Sequence, residues 1–150
     1  MKTRSKTFIS GEELPWEPCG PGVRRRIMGY DLHLMVVRVA FDKDAVGATH
    51  THYHSQVTQI ESGRYEVTIG GESRVLGPGD GYYVPADEPH GLHCLEAGVV
   101  LDIFSPLRPI FSSSAPVVRR GHAKGPLPEG SGPFFRAERI YSSSRYMCST

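Results

Sequence analysis

The stretch "THTHYHSQ", residues 49–56, places His50, His52 and His54 at alternate positions and Gln56 two residues later. The whole chain of 150 residues contains only seven histidines, so nearly half of them fall within five positions. Imidazole is the commonest side-chain ligand for late first-row transition metals. The stretch therefore indicates a metal site, although a solvated histidine-rich turn would give the same local pattern.

The residues around this stretch have the pattern of short β-strands. Runs rich in Val, Ile, Tyr and Phe are separated by turns such as "ESGR" and "IGGE", in which glycine takes positive φ at little steric cost. No window shows a convincing helical period. The pattern predicts a single all-β domain, an antiparallel barrel or double-sheet jelly roll. Its predicted strands are residues 31–41, 57–61, 64–69, 73–76, 81–85, 90–95 and 99–104.

Length and composition limit the range of functions. The 17 basic and 16 acidic residues nearly cancel, so overall charge does not favour nucleic acid or an anionic membrane as a partner. No run approaches the roughly 20 apolar residues that a membrane helix needs, and the first residues lack the apolar segment of a signal peptide. We expect a cytoplasmic protein whose cysteines, which lack C-x-x-C spacing, are free thiols: Cys19, Cys94 and Cys148.

The chain divides into three predicted parts. Residues 1–22 form an N-terminal segment, and residues 23–111 form the barrel domain. Residues 112–150 are rich in Ser, Gly and Pro and carry six basic residues against two glutamates. Such a segment buries too little apolar surface to offset the entropy lost on ordering. We expect this tail to be largely disordered, with a basic interaction arm as the alternative.

Two spaced motifs resemble those of the cupin family. Residues 50–63 read H-x-H-x3-Q-x6-G and are similar to the first cupin motif, with Gln in place of the usual Glu. Residues 79–90 read G-x5-P-x4-H and are similar to the second motif. Asp44 and Asp87 stand where the family pattern has glycine, and Cys94 stands where it has asparagine. The resemblance covers residues 25–105 and implies a single-domain cupin with a double-stranded β-helix, or jelly-roll, barrel.

The cupin resemblance also implies one divalent transition metal per chain. Three neutral imidazoles and one amide would leave the charge of the ion uncompensated, which makes it a stronger Lewis acid than an ion with a carboxylate ligand. Zn, Ni, Fe and Mn all suit such a ligand set. The implied ligands are His50, His52, Gln56 and His90.

A second register of the first motif would use His52, His54 and Gln59. It is disfavoured because only three residues then separate Gln59 from Gly63, instead of the six of the family pattern. We place His54, Gln59 and His93 in the wall or surroundings of the pocket, with Gln59 and His93 as candidates for substrate binding. The alternative is that each is an ordinary surface or core side chain.

The segment "VVLDIFSP", residues 99–106, places a single carboxylate, Asp102, in an otherwise apolar strand. Because strand residues alternate between faces, Val100, Asp102 and Phe104 should point to one side. A buried carboxylate needs a charged or hydrogen-bonding partner. Inside a barrel the metal or its water could be that partner; the alternative is an Asp paired with an Arg or exposed at a strand end.

Several segments resemble one branch of the cupins, the small pectin-degradation cupins of the KdgF type. They are "PGVRRRIMGY", "HYHSQ", "YEVTIGGE" and "LDIFSP". The resemblance implies conversion of 4,5-unsaturated monouronates, the products of pectate and alginate lyases, to 5-keto-4-deoxyuronate. It implies that Asp102 and Phe104 act on the substrate. An arginine would hold the carboxylate of the sugar acid, and Arg25 and Arg108 are our candidates.

Two other functions fit the same fold. One is a non-enzymatic cupin that binds a small sugar acid, and the other is a dioxygenase of the quercetinase kind. Small cupins commonly pair through their N-terminal strands, so we expect a homodimer. Residues 31–41 are the predicted edge strand for that contact.

Overall fold

The computed structural model describes residues 4–108, which form two antiparallel β-sheets. The first sheet has the strand order β1-β2-β3-β10-β5-β8 and the second has the order β4-β9-β6-β7. A 3-10 turn at Gly11–Glu13 precedes the strands, and within residues 4–108 no helix is long and apolar enough to cross a bilayer. The predicted all-β jelly roll is confirmed. The strands are β1 (Glu17–Gly20), β2 (Val23–Tyr30), β3 (Met35–Phe41), β4 (Val46–His50), β5 (Ser55–Ile60), β6 (Arg64–Ile69), β7 (Glu72–Leu76), β8 (Gly81–Val84), β9 (His90–Glu96) and β10 (Gly98–Ser105).

The core lies on the inner faces of the two sheets, where apolar side chains exclude water. Strand β10 shows the alternation most clearly, since Val100, Asp102 and Phe104 are each at most 3% exposed while the residues between them are less buried. The predicted facing of this strand is confirmed. Asp102 lies opposite Val37 on β3 and Thr58 on β5. A carboxylate is therefore carried into the interior by the same alternation that buries its apolar neighbours.

The prediction for residues 31–41 is wrong in two respects. The strand begins only at Met35, because the Asp31 carboxylate accepts hydrogen bonds from the backbone N–H groups of His33 and Leu34 and closes a turn there. The strand is also not an edge, since β3 pairs with β2 on one side and with β10 on the other. Within the described chain, β1 is the edge strand at this end of the sheet.

Three strands were absent from the sequence prediction: β1, β2 and β4. Strand β2 contains three consecutive arginines and strand β4 has the pattern "VGATH", so neither has the apolar alternation of a half-buried strand. Strand β1 lies within residues 1–22 and pairs antiparallel with β2. Local composition underestimates such strands because their pairing partners stabilise them.

An irregularity in β4 decides the direction of His50. Gly47 lies opposite Leu92 on β9, but the register shifts before the end of the strand, so that His50 lies opposite His90. Simple alternation from the inward Gly47 would turn His50 outward; the shift turns it inward. Strand β9 approaches closely here, because a Cβ on Gly91 would lie 2.8 Å from the carbonyl oxygen of Gly47. Glycine at position 91 thus permits the bulge.

Two of the departures from the cupin motifs are aspartates in a backbone conformation that favours glycine. Asp44 and Asp87 have positive φ values of 67° and 64°, and both stand where the pattern has glycine. Aspartate is one of the few residues besides glycine that tolerates the left-handed region. Gly63 of the first motif has φ of 86° in the turn between β5 and β6. Asp44 and Asp87 therefore adopt the positive φ that glycine takes most readily.

Of the remaining predictions about the chain as a whole, only some concern residues that the structure describes. Cys19 and Cys94 are free thiols, as predicted. Cys148 and the predicted disordered tail, residues 112–150, lie outside the described residues. The homodimer and the cytoplasmic location stay predictions.

Candidate metal centre

Three histidines from separate parts of the chain converge inside the barrel. His50 ends β4, His52 lies in the loop before β5, and His90 begins β9. One ring nitrogen from each lies within 4.8 Å of the others. The ring of His90 is centred 4.4 Å from that of His50 and 4.7 Å from that of His52. The cluster meets the geometric requirement for shared ligation of one ion.

Backbone carbonyls fix the tautomer of each ring in the cluster. Nδ1 lies 2.8 Å from the Ala48 carbonyl oxygen in His50, 3.0 Å from that of His54 in His52, and 2.8 Å from that of Glu88 in His90. A carbonyl oxygen only accepts, so each Nδ1 carries the proton and donates. Each Nε2 therefore presents a lone pair to the interior. This is the arrangement that orients histidine ligands in metal sites.

The lone pairs of the cluster have no protein donor. Nε2 of His50 and of His90 is buried and has no hydrogen-bond partner among the described residues. Nε2 of His52 lies 3.1 Å from Oε1 of Gln56, so two acceptors face each other if the amide nitrogen points away. Buried acceptors without donors are costly. A divalent cation would satisfy all four atoms, and the residues present therefore fit a metal ion.

Burial keeps these imidazoles neutral. It lowers the pKa of His50 and of His52 from 6.5 to about 4, with smaller contributions from the other charged or titratable groups nearby. Burial also lowers the pKa of His90. Metal ligation needs the neutral ring. The ligand atoms are thus available at neutral pH without competition from protons.

Asp102 lies beside the cluster in a network of polar side chains. Its Oδ1 accepts a hydrogen bond of 2.6 Å from the Thr58 hydroxyl and one of 3.3 Å from Nε2 of Gln56. Nε2 of Gln56 also donates to Oγ1 of Thr58 at 2.8 Å. Burial raises the pKa of Asp102 to about 6, opposed by the Thr58 hydrogen bond, the charge of Arg108 and the Gln56 hydrogen bond. A carboxyl group of this kind can exchange protons near neutral pH.

Phe104 and Arg108 lie at the same end of the barrel as the histidines. The Phe104 ring is centred 5.8 Å from that of His52, and the guanidinium carbon of Arg108 lies 5.3 Å from the Phe104 centroid. The charge of Arg108 contributes to lowering the pKa values of the three clustered histidines. An aromatic face and a cation therefore stand next to the candidate metal site.

His54 carries its ring proton on Nε2 instead of Nδ1 and has a different structural role. Its Nε2 donates to the Leu107 carbonyl oxygen at 3.3 Å, so this atom is not free to bind an ion. Gln59 is exposed on the outer face of β5. The second register of the first motif is therefore not formed. His54 instead ties the chain next to Arg108 to the barrel.

The structure does not bring three of the predicted substrate-binding residues to this site. Gln59 faces outward opposite Leu101. The His93 side chain is 41% exposed, on the outer face of β9, where its Nε2 lies 3.9 Å from Asp44. Arg25 donates to Glu17 at 3.1 Å. A cavity lies beside the histidine cluster, and the described residues that line it lie on neither β1 nor β2. They are Phe41, Gly47, His50, Gln56, Tyr82, His90, Gly91, Leu92 and Asp102.

Two residues of the site were missed from sequence. Thr58 follows Gln56 by two positions in β5 and so shares its inward face, a signal that strand alternation already contained. Tyr82 lies opposite Thr58 on β8 and lines the same cavity; burial raises its pKa, as does the neighbouring charge of Asp102. Its place depends on the pairing of β5 with β8, which composition does not determine.

Comparison with known proteins gives consistent matches. A family model described as a cupin domain matches residues 37–104. Pectin degradation protein KdgF of Dickeya dadantii (strain 3937) is 41% identical over 108 residues, which are 71% of this chain and 98% of that protein. An RmlC-like cupin from Shewanella frigidimarina is 38% identical with a TM-score of 0.70, over 71% of this chain and 96% of its own. The structure of KdgF from Halomonas sp. is 38% identical with a TM-score of 0.67, over 69% and 96% of the two chains.

Proposed function

The chain belongs to the cupin family and is similar over most of its length to pectin degradation protein KdgF, and on that basis we propose that it is a metal-dependent enzyme of pectin or alginate breakdown. The proposed reaction converts a 4,5-unsaturated monouronate to the open-chain 5-keto-4-deoxyuronate. The small molecule partner is a sugar acid. The observation that supports this most is the set of buried imidazole lone pairs beside a buried carboxylate.

His50, His52, Gln56 and His90 would hold the ion. A bound divalent ion supplies Lewis acidity, which polarises an oxygen of the substrate. Zn, Ni, Fe and Mn all accept imidazole and amide ligands. The role of the chain is to keep three Nε2 atoms deprotonated and aimed at one point, which the carbonyl partners of Nδ1 achieve.

In the proposed mechanism Asp102 moves the proton. The anomeric hydroxyl of the sugar loses its proton, the bond from C1 to the ring oxygen breaks, and an aldehyde and an enol are formed. The enol then becomes a ketone by gaining a proton at C4 and losing one from oxygen. No atoms are gained or lost overall, so a single buried carboxyl group that accepts and returns a proton is sufficient. Asp102 is 3% exposed, which shields that transfer from bulk water.

Phe104 and Arg108 would bind the rest of the substrate. The Phe104 ring offers an apolar face for the sugar, and the guanidinium of Arg108 can bind its carboxylate through two parallel hydrogen bonds. Arg108 is favoured over Arg25 because its guanidinium lies next to Phe104 and its charge acts on the clustered histidines and on Asp102.

The direct test is an absorbance assay with 4,5-unsaturated galacturonate. Its double bond is conjugated with the carboxylate and absorbs in the ultraviolet, and ketone formation removes that conjugation. We expect metal-loaded protein to abolish the absorbance catalytically and metal-stripped protein to have no effect. Saturated galacturonate, which lacks the double bond, is the matched substrate control.

Two results would reject the enzymatic proposal. One is an unchanged absorbance with every candidate ion. The other is saturable binding of the unsaturated sugar, measured by calorimetry, without loss of absorbance; that result would support a binding protein instead.

The contact between His54 and Leu107 gives a further prediction. We expect His54→Phe to raise KM for the unsaturated uronate by roughly fivefold, because loss of one hydrogen bond of about 1 kcal/mol loosens the segment that carries Arg108. The turnover number should change less. Steady-state kinetics on His54→Phe, Arg108→Ala and the double variant would measure this. A KM that rises in Arg108→Ala but stays unchanged in His54→Phe would contradict the role of His54.

A further inference from the structure

We propose that Thr58 is a positioning residue that, together with Asp102, fixes the side-chain amide of Gln56 with its oxygen toward the metal site. The inference rests on the metal site of the proposed function. It assigns a role to a residue that is neither a ligand nor in contact with substrate in that mechanism.

The three side chains form a triangle of hydrogen bonds, and the Tyr82 side chain also hydrogen-bonds to Thr58. Thr58 and Gln56 are joined at 2.8 Å, Thr58 and Asp102 at 2.6 Å, and Gln56 and Asp102 at 3.3 Å. The side chains come from the inner faces of β5 and β10, and none is more than 3% exposed. Water therefore does not compete for these bonds, and the polar groups must satisfy one another.

The number of protons sets the direction of each bond. The Thr58 hydroxyl has one proton, and when Asp102 is ionised the short contact with Oδ1 uses it. Oγ1 of Thr58 is then only an acceptor toward Gln56. The amide group that faces it must be the NH2 of Gln56, which can also donate its second proton to Oδ1 of Asp102.

The reversed amide would be strongly disfavoured. Its oxygen would face the lone pairs of Thr58 and the carboxylate oxygen of Asp102, at the distances now occupied by donors. The NH2 group would then point toward Nε2 of His52, where Oε1 now lies at 3.1 Å. An NH2 group cannot bind a cation. The triangle therefore makes Gln56 a metal ligand and not a donor to His52.

Removal of the hydroxyl should weaken metal binding. Thr58→Val keeps the shape of the side chain but leaves the amide held only by the longer contact with Asp102. We expect the dissociation constant for Zn²⁺, measured by competition with a chromophoric chelator, to rise by about 10-fold, at the lower end of the range for groups that orient ligands. Thr58→Ser should bind Zn²⁺ within about threefold of the parent protein.

Thr68→Val is the matched control. It removes a threonine hydroxyl from β6 that pairs with Ser73 at 2.7 Å away from the site, and it should leave Zn²⁺ affinity unchanged. Melting temperatures of the metal-free proteins check folding. If Thr58→Val is too unstable to purify, the comparison of Thr58→Ser with Thr58→Ala gives the same contrast between hydroxyl and no hydroxyl.

Asp102→Asn separates positioning from chemistry. The Asn oxygen can accept both hydrogen bonds that Oδ1 now accepts, so Zn²⁺ affinity should stay within about threefold of the parent value. A crystal structure of Zn²⁺-loaded Thr58→Val should show the Gln56 amide withdrawn from the ion or in more than one orientation.

The outcomes distinguish this inference from the proposed function. Equal Zn²⁺ affinity in the parent protein and Thr58→Val would overturn the role of Thr58 alone, as would equal weakening by Thr58→Ser and Thr58→Val. If the parent protein binds none of the four ions Zn²⁺, Ni²⁺, Fe²⁺ and Mn²⁺, the metal site is overturned and with it the proposed function.

Discussion

The His90→Ala variant is expected to bind Zn²⁺ at least about 100-fold more weakly than the parent protein. Loss of a group that merely orients a ligand costs about 10- to 100-fold in affinity, and loss of the ligand itself should cost more. Nε2 of His90 is buried and has no partner among the described residues, and one ring nitrogen of His90 lies within 4.8 Å of a ring nitrogen of His50 and of His52. Competition with a chromophoric chelator would measure the dissociation constant and the stoichiometry, which we expect to be one ion per chain.

His93→Ala is the control for this prediction. It removes the same side chain from the same strand, but from the outer face, where His93 lies opposite Val46 and Glu66. The Zn²⁺ affinity of His93→Ala should equal that of the parent protein. Equal affinity of His90→Ala and the parent protein would show that the ion, if bound, lies elsewhere, and equal weakening by both variants would point to a general loss of structure.

The inner position of Asp102 could be predicted from sequence because it needs only one rule. Strand alternation places residues 100, 102 and 104 on one face, and the apolar identity of Val100 and Phe104 shows which face is inside. The rule holds because β10 pairs regularly with both β3 and β5. No register shift intervenes along the paired residues.

The inner position of His50 could not be predicted in the same way. The register shift in β4 reverses the alternation between Gly47 and His50, and a bulge depends on the fit between two strands that are distant in sequence. Here the family resemblance supplied what physical rules applied to local sequence could not. The spacing of the first motif carries the bulge implicitly, since it was matched as a whole.

The same contrast explains the errors among the candidate binding residues. The chemistry of Gln59 and His93 and their closeness in sequence to the ligands favour them as binding residues. Each lies an odd number of positions from an inward residue of its strand, Gln59 from Gln56 and His93 from His90, and so points to the opposite face. The polar residue that does share the inward face of β5 with Gln56 is Thr58, whose hydroxyl attracts less notice in a sequence than an amide or an imidazole.

The two neighbouring side chains Gln56 and Asp102 also account for a change from the usual cupin motif. A glutamate at position 56 would place carboxylate oxygen 3.3 Å from the Asp102 carboxylate, where the NH2 group now donates. Two carboxylates this close in a buried site repel, and one must take up a proton. Gln56 avoids that repulsion and, in the proposed mechanism, leaves Asp102 able to exchange a proton with substrate. The neutral ligand and the mobile proton of the proposed mechanism therefore depend on each other.

The Asp102→Asn variant is expected to lower the turnover number for the unsaturated uronate by about 10²- to 10⁴-fold, the range for loss of a general acid or base. Asparagine has the shape of aspartate and can accept the hydrogen bonds from Thr58 and Gln56, but it cannot take up and return a proton. The absorbance assay at saturating metal and substrate would measure the effect. Glu66→Gln removes a carboxylate from the outer face of β6 and should keep the parent rate. A variant Asp102→Asn that retains more than about a tenth of the parent turnover number would exclude Asp102 as the residue that moves the proton, even if the metal site and the substrate stand as proposed.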